Sequence, residues 1–292
     1  MGTGYYFCIG VNQLSADHYG NTYEPLLGAE NDAIEMEKLA TAAGFVPLCG
    51  KSPRLLGCAA KYPAVKACLD SIPTRVGKDD LVLVSFAGHG GRYTRGDLSQ
   101  LKETSTETWC LFDTELFDLE LGELWTHIAP EARVLVISDS CNSGTIVSIP
   151  PALRPNRGSR RLESLGRRAH MRLSSEAQAA ALASGKADYE ERVGRVLGRE
   201  EARRNTRARL LLLAACAEVG DAVDADPHSA YPLMLFSEML LATWSAGTNR
   251  HTYEEFMAEV RASVMKVEPA QKPDIYPLPD DRVFASQRPF SL

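Results

Sequence analysis

Two residues that can act together in catalysis follow two apolar segments of the chain. Residues 134–137 are apolar and mostly β-branched, and Cys141 stands four positions after them. Residues 81–87 lead in the same way to His89, 52 positions upstream of the cysteine. Buried parallel strands are continuous apolar runs, and open α/β sheets bind ligands beyond the carboxyl ends of such strands. A cysteine that attacks as a thiolate needs a proton acceptor, so the pattern predicts a cysteine hydrolase with Cys141 as nucleophile and His89 as base.

Glycines surround the histidine and small residues follow the cysteine. Glycine permits a close approach of the backbone to a substrate carbonyl. The main-chain N–H groups of Gly90 and Cys141 are therefore candidate oxyanion donors, each worth a factor of about 100 to 1,000 in rate. Either His89 or Cys141 alone is more often a packing residue, and it is their matched positions that favour catalysis.

Short apolar segments alternate with helical patterns along the rest of the chain, which predicts an α/β fold with helices on both faces of a mostly parallel sheet. The predicted strands cover residues 5–11, 45–49, 81–86, 109–112, 134–138 and 210–215. The predicted helices cover residues 29–42, 64–72, 119–127, 233–245 and 253–266. Gly44 stands where a glycine commonly ends a helix.

Composition narrows the class of protein. The 292 residues are 45% hydrophobic, enough for a full core, and no apolar run approaches the ~20 residues that span a bilayer. No basic leader precedes the first predicted strand, so we expect a soluble cytoplasmic protein that does not bind membranes. The seven cysteines are scattered and form no pair with metal-ligand spacing. We expect Cys141 to be reactive and the other six to be packing thiols.

One region is strongly basic. Residues 154–209 hold 15 Lys and Arg against 7 Asp and Glu, a net charge of +8 within a chain of net charge −6. The stretch 149–206 interrupts the rhythm of strands and helices, and long irregular segments in compact domains are usually functional or disordered. We predict an exposed insert here, with a possible polar helix over 188–209.

Two motifs carry a family resemblance. Residues 87–91, Ala-Gly-His-Gly-Gly, and 139–144, Asp-Ser-Cys-Asn-Ser-Gly, resemble the signatures of the caspase-like cysteine peptidases. They are closest to bacterial orthocaspases and metacaspases, whose motifs run Ser-Gly-His-Gly and Asp-x-Cys-His-Ser-Gly. A histidine about 50 residues before the cysteine is itself a family property. Residues 9–12, 27–33, 107–113 and 212–216 extend the resemblance, whereas the Gln-Ala-Cys signature of animal caspases is absent.

The resemblance implies a caspase-like α/β fold, with a single mostly parallel sheet of about six strands sandwiched between helices. Residues 1–149 then form a large-subunit-like part that holds His89 and Cys141. Residues 150–208 form an Arg-rich linker, and residues 209–292 form a small-subunit-like part of the same domain.

The resemblance also implies an acidic pocket that takes Arg or Lys before the scissile bond. By motif position its carboxylates are Asp32 and Asp139. The chemistry agrees, because a carboxylate accepts bidentate hydrogen bonds from a guanidinium.

Calcium is the cofactor to consider, since calcium-dependent metacaspases carry an acidic cluster where this chain has Glu103-Thr104-Ser105-Thr106-Glu107. Calcium takes six to eight oxygen ligands, and two glutamates with Asp97 and Asp113 make a poor set. We therefore predict no cofactor. Two other departures are Ala87 in place of the usual serine and Asn142 in place of the usual histidine.

The linker is predicted to be cut, because its arginines match the acidic pocket. The cut would be made by the protease that carries the linker or by a partner, and the expected partners are an upstream activating protease or a regulator. The candidate processing sites are Arg160, Arg161, Arg167, Arg168, Arg203 and Arg204. Nucleic-acid binding is the rival interpretation, but the segment lacks interleaved aromatic residues beyond Tyr189 and any binding motif. A solvated polar helix is the third.

The sequence thus predicts a monomeric cysteine endopeptidase that cleaves proteins after exposed Arg or, less often, Lys. Two alternatives stay open. One is a catalytically degenerate caspase-like module that acts as a scaffold or binding partner. The other is an arginine-directed esterase or amidase that uses the same Cys/His pair.

Overall fold

The computed structural model describes residues 2–50, 53–101, 105–141, 169–198, 208–216, 221–278 and 282–292. Their strands are β1 (Gly4–Gly10), β2 (Val46–Pro47), β3 (Arg54–Leu56), β4 (Leu81–Ala87), β5 (Gly90–Thr94), β6 (Ser105–Cys110), β7 (Glu115–Phe117), β8 (Arg133–Asp139), β9 (Arg209–Ala214) and β10 (Asp274–Leu278). Their α-helices are α1 (Ala16–Tyr19), α2 (Ala29–Ala42), α3 (Tyr62–Leu69), α4 (Ile72–Arg75), α5 (Asp118–Thr126), α6 (Ser175–Leu197), α7 (Leu235–Trp244), α8 (Tyr253–Val267) and α9 (Arg282–Ala285).

The main sheet has the strand order β10-β9-β8-β4-β1-β2, and β3 also pairs with β1. All these pairings are parallel except that of β10 with β9. The central strand β4 is buried along its whole length, as continuous apolar strands with helices on both faces are. The prediction of an α/β fold with a mostly parallel sheet between helices is confirmed.

Side chains of the central strands alternate between two hydrophobic layers, because successive residues of a strand point to opposite faces. Val82 and Val84 belong to the layer that also contains residues of α3 and α5. Leu81 and Leu83 belong to the layer on the face of α2, α7 and α8. The helix predicted over residues 29–42 has those bounds, and Gly44 follows it with a φ of 89°.

A second sheet, absent from the prediction, stands beside the main one. Strands β5, β6 and β7 form a three-stranded antiparallel sheet. The start of the predicted strand 109–112 is the end of β6, so this segment belongs to the second sheet and not to the main one. Trp109 of this sheet stacks on Phe86 at 4.7 Å between ring centroids and donates its indole N–H to Ser138 Oγ at 2.9 Å. These contacts hold the small sheet against the carboxyl ends of β4 and β8.

Part of the predicted exposed insert is a packed helix. The 23-residue helix α6 buries one face, and its Arg192 is only 3% exposed. That guanidinium pairs with Glu120 at 3.0 Å, donates to the Glu115 carbonyl at 2.9 Å and lies 4.5 Å from the centre of the Tyr62 ring. The prediction of a polar helix over 188–209 is therefore wrong, both in its bounds and in its exposure to solvent. The buried residues were missed because they are widely spaced in an Ala- and Glu-rich sequence. The described helices lack the combined length and hydrophobicity of a membrane-spanning segment.

Two of the cysteines expected to be packing thiols form a disulfide. Cys49, just after β2, is bonded to Cys68 of α3 with a Cα–Cα distance of 5.7 Å. The 19-residue separation carries no pattern that identifies the pair in the sequence. The other cysteines within the described residues, including Cys141, are not in a disulfide.

Reduction of this disulfide is expected to lower stability by about 3 kcal/mol, because it closes a loop of moderate length in the unfolded chain. The apparent melting temperature of a Cys68→Ser variant should fall by about 5 °C or more at a fixed scan rate. Cys58→Ser is the matched control, since Cys58 is an exposed free thiol. Equal melting of the Cys68→Ser variant and the wild type would contradict the bond.

Candidate active site

Strand register brings the predicted nucleophile and base to one edge of the sheet. In the parallel pair of β4 and β8, Ala87 is the partner of Asp139. The Gly88 N–H then donates to the Asp139 carbonyl at 3.1 Å. His89 and Cys141 each stand two residues beyond this last matched pair. The sequence expectation that both follow strand ends at the same edge therefore agrees with the geometry.

Gly90 allows the two strand ends to touch. A Cβ added at Gly90 would lie 2.1 Å from the carbonyl oxygen of Cys141, a distance that no side chain can tolerate. The backbone of Gly90 thus packs directly against that of Cys141, as an oxyanion hole built from their N–H groups requires.

A serine network supports the turn that carries the cysteine. Ser138 and Ser140 have their hydroxyl oxygens 3.0 Å apart, and Ser138 also accepts the indole N–H of Trp109. The thiol of Cys216 lies 3.5 Å from the Ser140 carbonyl. These buried contacts fix the backbone immediately before Cys141.

The His89 ring is buried between two main-chain carbonyl groups. Its Nε2 lies 2.8 Å from the Glu24 oxygen and its Nδ1 lies 2.9 Å from the Met171 oxygen. Burial lowers the pKa of His89, while both carbonyls and the nearby Asp224 carboxylate act in the opposite direction. Burial is the larger effect and favours the neutral ring, which has one N–H and can satisfy only one of the two carbonyls.

The Cys141 thiol is also buried. Its sulfur accepts the N–H of Ala222 at 3.1 Å and lies 3.6 Å from the Ala222 carbonyl oxygen. Burial raises the pKa of Cys141 well above its usual value and the neighbouring Cys216 adds to this, against the smaller effect of the Ala222 N–H. The thiol is therefore protonated in this arrangement and is not yet the thiolate that attacks a carbonyl.

A main-chain segment of the predicted linker covers the pair. Residues 169–173, called the strap below, lie between the start of β5 and residues 222–224. The Met171 carbonyl that meets His89 also accepts the Gly90 N–H at 3.3 Å. A substrate carbonyl cannot reach His89 and Gly90 while the strap is in place.

Asp32 and Asp139, predicted to form an acidic pocket, are both about 1% exposed, and Asp139 ends β8 two residues before Cys141. Each uses one oxygen at the N-terminal end of α7. Asp32 Oδ1 accepts the Met234 N–H at 3.1 Å, and Asp139 Oδ2 accepts the Ser237 N–H at 2.9 Å and its hydroxyl at 2.8 Å. A helix N-terminus favours negative charge, so this anchoring is a structural role for the carboxylates.

The other oxygen of each carboxylate is left over. Asp32 Oδ2 and Asp139 Oδ1 are buried and meet no hydrogen-bond donor among the described residues. Burial raises the pKa of Asp139 to about 7, with Asp224 adding to the effect and Ser237 opposing it. Burial, then the charge of Asp139, raises the pKa of Asp32 well above its usual value. Unpaired buried carboxylate oxygens are costly, and a cationic ligand would remove that cost.

Asp224 is a third buried carboxylate that the sequence analysis missed. Its oxygens accept the N–H groups of Leu27 at 2.7 Å and Gly28 at 3.1 Å, which orders the backbone before α2. Its charge acts on His89, Asp32 and Asp139, so it lies close to both parts of the site. Asp224 was missed because no motif surrounds it in the sequence, and only the folded chain brings it close to His89, Asp32 and Asp139. The Glu24 carbonyl was missed for a related reason, since main-chain groups have no sequence signature.

The other predicted sites have mixed outcomes. The processing candidates Arg160, Arg161, Arg167, Arg168, Arg203 and Arg204 lie outside the described residues, as do Asn142 and Glu103. Asp97 caps the backbone of Thr94 at 2.7 Å and Asp113 caps that of Tyr62 at 2.8 Å. Within the described ranges no three His, Cys, Asp or Glu side chains are grouped as metal ligands. Independence of calcium stays a prediction.

The chain is similar to known proteins over most of its length. The family model Peptidase_C14, the caspase domain, matches residues 12–284. The crystal structure of protein GSU0716 from Geobacter sulfurreducens is similar at 26% sequence identity, with 99% of this chain and 98% of that chain covered and a TM-score of 0.74. Caspase-1 from Spodoptera frugiperda is more distant, at 10% identity, 94% and 85% coverage and a TM-score of 0.48. Comparison with curated proteins gave no match.

Proposed function

Because this chain belongs to the caspase-domain family of cysteine peptidases, we propose that it is an endopeptidase that cleaves proteins after Arg or, less often, Lys. The observation that carries the specificity is a pair of buried carboxylate oxygens, one on Asp32 and one on Asp139 two residues before Cys141, that have no hydrogen-bond partner among the described residues. A guanidinium has five N–H donors in a planar fork and satisfies two such oxygens at once. The likeness of the motifs to bacterial orthocaspases and metacaspases supports the same assignment.

The catalytic cycle follows from the placement of the groups. With the strap displaced, His89 Nδ1 takes the proton of the Cys141 thiol while the Glu24 carbonyl holds the opposite N–H. The thiolate adds to the substrate carbonyl, and the N–H groups of Gly90 and Cys141 bind the resulting oxyanion. His89 then protonates the leaving amine as the C–N bond breaks. Water, deprotonated by His89, hydrolyses the thioester and releases the new carboxylate and the thiol.

Selection of a basic side chain should depend on pH in a defined direction. Asp139 and Asp32 hold their protons to unusually high pH, and only their ionised forms pair with a guanidinium. The ratio of kcat/KM for an arginyl peptide to that for its uncharged citrulline analogue should rise at least about tenfold from pH 5 to pH 8. Taking the ratio cancels the titration of Cys141 and His89. A flat ratio would exclude titrating carboxylates from the pocket.

The same carboxylates make the unliganded protein less stable at higher pH. Their pKa values are higher in the folded chain than in the unfolded chain, so the folded form binds more protons between pH ~4 and ~7. Their contribution to stability therefore falls as the pH rises through that window.

We propose further that the Arg-rich linker is cut as part of activation, by the enzyme itself or by an upstream protease. Its net positive charge and its arginines match the acidic pocket. Incubation should yield fragments cut after an arginine within residues 150–208, and Cys141→Ala should stay intact under the same conditions. Intact-mass analysis measures both. Full activity of the wild-type enzyme with its linker uncut would contradict the proposal.

A scaffold function is the second candidate, and one observation favours it. The covered cleft and the protonated, buried thiol describe a site that is closed to substrates. Profiling a peptide library with the chain as purified, and again after linker cleavage, separates the two. The peptidase proposal expects cuts after Arg and Lys that vanish in Cys141→Ala, whereas a scaffold gives none. Faster turnover of small arginine esters than of peptides would favour the esterase alternative.

The proposed partners are protein substrates with exposed Arg or Lys and a regulator of linker cleavage, and the proposed state is a monomer. A cytoplasmic location stays a prediction. The Cys49–Cys68 disulfide gives a reason to test it, because disulfides persist mainly in oxidising compartments.

A further inference from the structure

The strap is bound as an added β-strand. On one side it runs antiparallel to its neighbour: the Met171 N–H donates to the Ala222 carbonyl at 3.0 Å, and the Asp224 N–H donates to the Ala169 carbonyl at 2.8 Å. Such alternating main-chain bonds are the ones by which extended peptides add a strand to a sheet edge. They do not depend on side chains, so any extended peptide can replace them.

The other side of the strap meets the catalytic groups. The Gly90 N–H donates to the Met171 carbonyl, and the Leu173 N–H donates to the Gly90 carbonyl at 3.4 Å. The Met171 carbonyl is thus held by a candidate oxyanion donor and by His89 Nδ1. The Cys141 sulfur accepts a hydrogen bond from the N–H of Ala222, the residue whose carbonyl accepts the Met171 N–H.

These contacts fix how the strap is aligned with His89 and Cys141. We propose that the strap is a pseudosubstrate, with Met171 in the position of the residue before the scissile bond and the 171–172 peptide bond in the position of the bond to be cut. This inference rests on the proposed peptidase function. It adds the regulation of that site, an inhibitor carried within the chain and bound as a substrate is bound.

The side chain of Met171 explains why the strap binds without being cut. It is wholly buried in the hydrophobic layer that also contains Ala87 and Met234, which adjoin the two carboxylates. A thioether has no hydrogen to donate, so Met171 cannot satisfy the unpaired oxygens of Asp32 and Asp139. The strap therefore gains apolar burial but lacks the charge pairing that the pocket offers to an arginine.

The residues on either side of Met171 hold the strap at the rim of the cleft. Arg172 pairs with Asp221 at 3.0 Å, and His170 Nδ1 lies 4.0 Å from the same carboxylate. Both side chains are more than one third exposed, so they are not available to the buried pocket. A basic residue next to Met171 is thus present in the chain but is directed elsewhere in this register.

The strap is tethered by its junction with α6. Ser174 caps that helix by accepting the Ala177 N–H at 3.1 Å and donates to the Thr22 carbonyl at 2.8 Å. Further along α6, the buried Arg192–Glu120 pair fixes the helix to the body of the protein. A cut in the linker before residue 169 would leave the strap attached through α6. It would then compete with substrates at the high effective concentration of a tethered ligand.

Replacing Met171 by Arg tests the register directly. The Met171→Arg variant should hydrolyse its own 171–172 bond, so that intact mass shows a fragment that ends at position 171 and another that begins at Arg172, and adding Cys141→Ala should prevent this cut. His170→Arg is the matched control: it places the same side chain one residue earlier, where it can pair with Asp221, and should give no cut after residue 170. Met171→Gly should raise kcat/KM for an added arginyl peptide at least about tenfold over the wild type.

Two failures can be told apart. If Met171→Arg stays intact, or is cut after another strap residue, and Met171→Gly is no faster than a wild type that cleaves arginyl peptides, the pseudosubstrate is refuted and the peptidase stands. If the wild type and both Met171 variants are folded, as judged by their melting curves, and none cleaves any peptide, the peptidase proposal itself fails, and the pseudosubstrate with it.

Discussion

Replacing Cys141 by Ala is expected to lower kcat/KM for arginyl peptides by at least about 10⁴-fold, because no other group can form the acyl-enzyme. The comparison is best made with Met171→Gly as the parent, so that the strap does not limit the rate. Cys8→Ala is the matched control, since Cys8 is a buried free thiol of β1 outside the site. It should keep the parent's rate.

The same substitution should not unfold the protein. Cys141 is a small side chain whose polar contacts with the described residues are those to Ala222, so Cys141→Ala should retain the parent's melting temperature within a few degrees. Hydrolysis that persists in Cys141→Ala, with the cut still after Arg, would assign the chemistry to another residue.

Replacing both carboxylates of the proposed pocket by amides should remove the proposed preference for basic residues. In the double variant Asp32→Asn, Asp139→Asn, kcat/KM for an arginyl peptide should fall by about 100-fold or more, because a buried guanidinium that loses its charged partners costs ~3 kcal/mol. Turnover of the citrulline analogue should change far less. The two measurements together separate a loss of charge pairing from a general loss of activity.

Stability gives this second prediction an independent check. Both carboxyls have raised pKa values, so ionising them above pH ~7 works against folding. The double amide variant should therefore melt no lower than the wild type at pH 8, although it loses the hydrogen-bond strength of two carboxylates. The exposed Asp226, changed to Asn, is the control for a mere change of surface charge. An arginine preference that survives the double substitution would contradict the assigned pocket.

Much of the fold was visible in the sequence because strand and helix patterns were strong. The runs that became β4 and β8 are continuously apolar, and helix 29–42 ends before a glycine that adopts a positive φ. The same two runs predicted that His89 and Cys141 lie at the same edge of the sheet. Each residue follows its strand by two positions, and two parallel strands in register end at the same edge. The two aspartates of the proposed pocket were predicted from their positions in the family motifs.

The features that the sequence did not reveal depend on tertiary placement. The Glu24 and Met171 carbonyls are groups that every residue has, and only the folded chain shows which of them meet His89. Asp224 joins the site through the N–H groups of Leu27 and Gly28, nearly 200 positions away. Helix α6 is held by a buried Arg192, which in the sequence is one arginine among many.

Covalent labelling of the cleft tests the central assignment most directly. A peptidyl-arginyl chloromethyl ketone, in which the electrophilic carbon follows an arginine, should alkylate Cys141 of the Met171→Gly protein once per chain. Peptide mapping should find Cys8, Cys58, Cys110 and Cys216 unmodified, and hydrolysis should stop in proportion to the label. A label on any other residue, or hydrolysis that continues after Cys141 is fully alkylated, would contradict the account.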